Sequence, residues 1–174
     1  MEDDDLKPEM EAVKYFLWLN SDRAGMFFSQ NVLLVEGPSE IALINRLLDD
    51  GKLALPHEVY ILDCLGKYNI HRFMSLLSAL GVQHSVLHDD DENKNEHQEL
   101  NQLISSKSSD FTKNIVSLTN NLETVLGVPL SGSNHRKPQH LLYCYSENQI
   151  DEAKLGDFCA KVQSCFADGE SFND

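Results

Sequence analysis

Two groups of acidic residues stand where apolar runs end. In NVLLVEGPSEIALINRLL, from Asn31 to Leu48, a strand-like run with no other charge finishes in Glu36, and Glu40 follows on the first turn of an amphipathic helix. Further along, VQHSVLH runs into Asp89, Asp90 and Asp91. A carboxylate at a strand end, followed by Gly37-Pro38, is badly placed for a surface ion pair and well placed to face a crevice. If the second run continues as a strand, alternation sends Asp89 and Asp91 to one side and Asp90 to the other. Two like charges on one side repel, and a hard divalent cation with oxygen ligands removes that repulsion. Glu36 with Asp89 and Asp91, on neighbouring strand ends, therefore reads as a Mg²⁺ or Mn²⁺ site. Glu40, taken alone, reads as a first-turn glutamate that complements the helix dipole and completes a cap.

Positioning these acids requires strands that deliver them to one edge. FFSQNVLLVEG, HEVYILDC, VQHSVLH and NIVSLTN are short apolar runs expected to be strands covered on both faces. Helical stripes alternate with them. Ile41, Ile44, Leu47 and Leu48 follow Pro38, which suits the first position of a helix. Ile70, Phe73, Met74, Leu77 and Leu80 lead to a stop at Gly81. LGKYN, with Lys67, reads as a turn, its lysine alternatively a phosphate contact. The acidic loop DDDENKNEHQELNQLI enters a polar helix, SGSNHRKPQHLLYCYSENQ is expected to be a loop and then a helix, and the segment from Asp151 has helical character. Before the first strand, Ala12, Tyr15, Phe16 and Trp18 or Leu19 mark a leading helix. This alternation is that of an α/β fold, a mostly parallel sheet with helices on both faces and a small helical C-terminal extension. Ligands of such sheets gather at the carboxyl ends of the strands.

The chain has 174 residues, 41% of them hydrophobic, enough for one domain of ordinary size with an appendage. Its 28 acidic and 14 basic residues give a formal charge of −14, against the basic face expected of a free-standing nucleic-acid binder. Acid-rich proteins approach polyanions where metal ions reverse the local sign. Cys64, Cys144, Cys159 and Cys165 form no CxxC pair, and the histidines show no zinc spacing. The opening MEDDDLKPEM lacks the positive region of a secretory signal, and no run approaches the roughly 20 apolar residues that span a bilayer. A reduced, cytoplasmic protein without membrane contact is expected.

VLLVEGPSE followed by VLHDDDENK resembles the Toprim fold of topoisomerases, bacterial primases and certain nucleases. LNSDRAGMFFSQNVLLVEGPSE, GKYNIHRFMSLLSALGV, NNLETVLGV and HRKPQH together resemble the C-terminal nuclease half of OLD-family (overcoming lysogenization defect) proteins, from about Trp18 to Tyr145. The resemblance implies a DNA endonuclease using two divalent ions, Mg²⁺ or Mn²⁺, with a role in defence against foreign DNA or in DNA processing. Its EGxxE pattern falls on Glu36 and Glu40, making Glu40 a ligand as well as a cap, and its DxD falls on Asp89 and Asp91. Its later acidic ligand falls on Glu123 and its lysine on Lys137, with Ser117 a minor candidate. Glu36, Asp89 and Lys137 would then be catalytic.

Partners follow from the same resemblance: DNA, bound weakly by so acidic a fragment, an ABC-type ATPase domain preceding the nuclease, and a homodimer in full-length form. The chain has no GxxxxGK[ST] phosphate loop, so it carries no ATPase of that type and reads as an excised domain or a stand-alone relative. The implied division is a helical lead-in over 1–30, a catalytic core over 31–130 and a helical segment over 131–174 that carries Lys137. Competing readings are another Toprim enzyme acting on RNA, and an inactive Toprim module that binds a partner. A CheY-like receiver would place its paired acids after the first strand, an order this chain does not follow.

Overall fold

The run Asn31–Val35 is buried at every position, as a strand covered on both faces requires. It is β1, the centre of the protein in the computed structural model, which describes residues 21–56, 59–91 and 95–167. The other strands are β2 (Val59–Asp63), β3 (His84–Asp89) and β4 (Thr112–Leu118). All pairings are parallel, in the order β2-β1-β3-β4. Helices α1 (Pro38–Asp49), α2 (Lys67–Ala79) and α3 (Asn95–Ser106) connect them. After β4 come the short α4 (Leu122–Leu126), then α5 (Lys137–Ser146) and α6 (Glu152–Ser164).

Alternation along β1 divides the interior into two cores. Leu33 and Val35 point into one, with Leu87 of β3, Leu43, Ile44 and Leu47 of α1, Leu141 and Cys144 of α5, and Phe158 and Val162 of α6. Val32 and Leu34 point into the other, with Val86, Ile70, Phe73, Met74 and Leu77 of α2, and Leu100 and Ile104 of α3. Helices therefore cover both faces of a parallel α/β sheet. The C-terminal helices pack on one face, Phe158 with no exposure at all.

Several boundaries differ from those expected. The first strand begins only at Asn31, because Ser21–Phe27 forms a 3-10 turn and Phe28 is 87% exposed. LGKYN is not simply a turn, since Lys67 opens α2 directly behind Gly66, whose φ of 106° is glycine territory. The expected stop of α2 stands: Gly81 has φ 72°, and Val82 N–H bonds back to the Leu77 carbonyl. The leading helix around Ala12 to Leu19 lies outside the described residues. The four cysteines are free, three of them buried. Among the described residues, no helix is long and apolar enough to cross a membrane.

Candidate metal centre at the strand ends

In the order β2-β1-β3-β4, the connection from β1 runs to β2 on one side and that from β3 to β4 on the other, so a crevice opens between the carboxyl ends of β1 and β3. A cleft of ≈ 370 Å³ occupies this point. Its walls carry Glu36, Glu40, Asp63, Asp89, Glu123 and Lys137, with Leu65 and Leu122 as apolar parts. Four acids and the lysine expected from the sequence thus line one cavity, although they come from β1, α1, β3, α4 and α5.

Local bonding explains how each is held. Glu36 follows β1 directly, and its Oε1 accepts the backbone N–H of Asp89 at 2.8 Å. Its own carbonyl accepts Gly66 N–H at 2.7 Å, which ties the ends of β1 and β2 together. Gly37 has no side chain with which to cap α1, so Glu40 reaches back and accepts Gly37 N–H on Oε2 at 3.2 Å. Glu40 is therefore both the helix cap and a crevice acid. Asn121 caps α4 by accepting Thr124 N–H at 2.9 Å, which sets Glu123 on the first turn. Lys137, the first residue of α5, extends Nζ to 3.3 Å from Glu123 Oε1.

Burial and mutual repulsion dominate the electrostatics. Glu36 is pushed up to about 7, chiefly by desolvation, with the Asp89 N–H and nearby Lys67 and Lys137 pulling the other way. Glu40 is likewise raised to about 7 by desolvation and by the charges of Glu36 and Glu123. Asp89 rises furthest, to about 9, through desolvation and then repulsion from Glu36, Glu40, Asp91 and Glu123. Its Oδ1 is buried with no hydrogen-bond partner. A buried acceptor left without a donor costs about 1–3 kcal/mol, so Asp89 is held at a cost that the rest of the fold must offset.

Asp91 behaves differently. The strand ends at Asp89, and Asp91 has the left-handed φ of 49°, so the alternation expected beyond β3 does not occur. Asp91 is absent from the cleft wall; its Oδ2 lies 3.5 Å from Lys67 Nζ and 3.0 Å from His97 Nδ1. Asp90 turns away, taking Asn101 Nδ2 on its Oδ1 at 2.8 Å. Ser117 is exposed on β4, outside the cleft wall, and its carbonyl accepts Lys161. His88 is buried at the strand end, its Nδ1 2.8 Å from the Asp89 carbonyl, and burial lowers its pKa. Sequence reasoning passed over Asp63, although its place at the end of the run YILDC was the available signal.

The donor set suits a hard divalent cation: it is all carboxylate oxygen, burial and mutual repulsion raise the pKa of Glu36 and Asp89, and one oxygen is orphaned. Among the described residues, no three acid, imidazole or thiol groups already form a closed cation cage. Glu36, Glu40 and Glu123 are each tethered to a protein donor instead.

Residues 27–91 match the family model described as "Overcoming lysogenization defect protein-like, TOPRIM domain". Among solved structures, the C-terminal region of the Burkholderia pseudomallei OLD protein is similar at 15% identity and TM-score 0.43, over 79% of this chain and 83% of that one. The C-terminal region of the Xanthomonas campestris pv. campestris OLD protein is similar at 16% identity and TM-score 0.40, over 80% of this chain and 84% of that one. No curated protein matches.

Proposed function

From the premise that the chain carries an OLD-like Toprim domain at residues 27–91, we propose that it is the nuclease part of a metal-dependent DNA endonuclease that hydrolyses phosphodiester bonds. The observation that carries this reading is the buried carboxylate cluster at the ends of β1 and β3, with an orphaned Asp89 oxygen and Lys137 at its rim. Glu36, Glu40, Asp89 and Glu123 would hold the ions, two Mg²⁺ or Mn²⁺, with Asp91 acting at the edge of the site. Such ions supply Lewis acidity toward a phosphoryl oxygen and lower the pKa of a bound water.

The chain's own residues do the rest. Glu36 and Asp89 are fixed to one another by the 2.8 Å bond, so the two strand ends cannot drift apart independently. Glu40 is locked by its cap to the first turn of α1. Lys137, 36% exposed at its side chain, is the cation able to reach charge developing on a phosphate bound in the cleft. Its present contact with Glu123 parks it beside the acids. With so few basic residues, the isolated domain binds DNA weakly and with a shallow dependence on salt. Within a larger protein, an ATPase domain and a second copy would add contacts, for defence against foreign DNA or for its processing.

A nicking assay on supercoiled plasmid tests the proposal. Cleavage is expected with Mn²⁺ or Mg²⁺ and none in chelator, and it is lost in folded Asp89→Ala and Glu36→Ala proteins. Cleavage that survives both substitutions would overturn it.

A further inference from the structure

Lys67 stands where ordinary helix chemistry disfavours it. It is the first residue of α2, where the helix dipole opposes a positive charge, and it is only 3% exposed. A buried ammonium is costly unless several oxygens surround it. Here they do: Nζ donates to the carbonyl of Asp89, lies 3.3 Å from the carbonyl of Asp90, and sits 3.5 Å from Asp91 Oδ2. All three oxygens belong to the acidic turn that follows β3. Backbone bonds from Asp90 and Asp91 to the Leu118 and Asn120 carbonyls and Asn101 Nδ2 on Asp90 also hold the turn, whose Asp91 keeps a left-handed conformation that suits glycine or asparagine better.

We propose that Lys67 is a positioning residue that clamps the Asp89–Asp91 turn from behind and so aims the Asp89 carboxylate into the cleft. Asp91, at the edge of the site, is the counter-ion of this clamp. His97 Nδ1 of α3 lies 3.0 Å from the same Asp91 oxygen but makes no hydrogen bond to it. With Nζ committed to these oxygens and the side chain buried, Lys67 is not a contact for substrate phosphate. The inference rests on the reading of the cleft as a cation site only for its second readout below.

The test uses the full chain with Lys67→Met, which keeps the length and apolar stem while removing the ammonium. The first readout needs no metal: hydrogen exchange at the amides of Asp89, Asp90 and Asp91, which bond to Glu36 Oε1, the Leu118 carbonyl and the Asn120 carbonyl. Exchange there is expected to quicken at least about tenfold while the β1 amides stay protected. The second is Mn²⁺ titration, in which affinity is expected to fall about 10- to 100-fold at unchanged stoichiometry. Lys67→Gln, which keeps a donor without the charge, is expected to fall between, and it stands in if Lys67→Met does not fold. Unchanged exchange and unchanged Mn²⁺ affinity would overturn the proposal. So would a variant whose only defect is a raised KM for DNA, because that marks a substrate contact. If the wild-type protein takes up no Mn²⁺, the metal reading of the cleft fails, and faster exchange alone decides for Lys67.

Discussion

Asp89 N–H and Glu36 Oε1 are joined at 2.8 Å across 53 positions of sequence. The bond makes one acid of the cleft the acceptor for the backbone of another, so the spacing between them is a property of the sheet rather than of two mobile side chains.

Substitutions at Glu36 should therefore separate structure from activity. Glu36→Gln keeps an oxygen for the Asp89 N–H, and its folding stability is expected to remain within about 1 kcal/mol of the parent. Glu36→Ala leaves that N–H without its partner and should lose about 1–3 kcal/mol. Both are expected to abolish plasmid nicking. Chemical denaturation with the nicking assay checks the pair.

The raised carboxyl groups also set a pH dependence. Glu36 and Glu40 titrate at about 7 and Asp89 at about 9 in the fold, all above their ordinary values. Between pH 6.5 and 8.5 the folded protein thus holds protons that the unfolded chain has released, and stability falls as pH rises. Buried His84 and His88 have depressed values and act in the opposite direction, an effect that fades above about 6.5 and is outweighed in this window by the three carboxyl groups. In chelator, Tm is expected to drop by roughly 5 °C across this window. Divalent ions replace the protons as counter-charge, so Mn²⁺ should raise Tm, and more at pH 8.5 than at pH 6.5. Thermal melts at both ends of the window, with and without Mn²⁺, test both signs.

Lys137 offers a contrast between stability and rate. Its pair with Glu123 has a partly exposed lysine, and such pairs contribute about 0–1 kcal/mol. Lys137→Met is therefore expected to melt near the parent temperature while nicking slows by about 10²-fold or more. A loss of stability larger than that of activity would mean that the lysine serves the fold.

The C-terminal helix is integral to the sheet's core. Phe158 has no exposure and packs with Leu43, Leu47 and Leu141 in one interior. Phe158→Ala is expected to lose about 3–5 kcal/mol, and with it much of the protein's margin of stability. Equilibrium unfolding in urea measures it.

Much of this arrangement was legible in the residues. The covered strands announced themselves as short apolar runs, and Pro38 and Gly81 marked helix ends that the structure keeps. Glu36 and Asp89 could be picked out because an acid ending an apolar strand has no local reason to be there. The side to which Asp91 turns is not legible by alternation, because that rule holds only while the strand lasts and β3 ends two residues earlier. The role of Lys67 is hidden for the opposite reason: its partners are backbone carbonyls 22 and 23 residues away, which no local pattern displays. Asp63 ends its strand as Glu36 does, but lies among mostly half-buried neighbours, so it carried a weaker signal.

The most direct measurement is anomalous diffraction from a crystal soaked in Mn²⁺. Anomalous density is expected in the cleft bounded by Glu36, Glu40, Asp89 and Glu123, at two positions about 3.5–4 Å apart. A folded crystal with Mn²⁺ bound elsewhere and none in that cleft would contradict it.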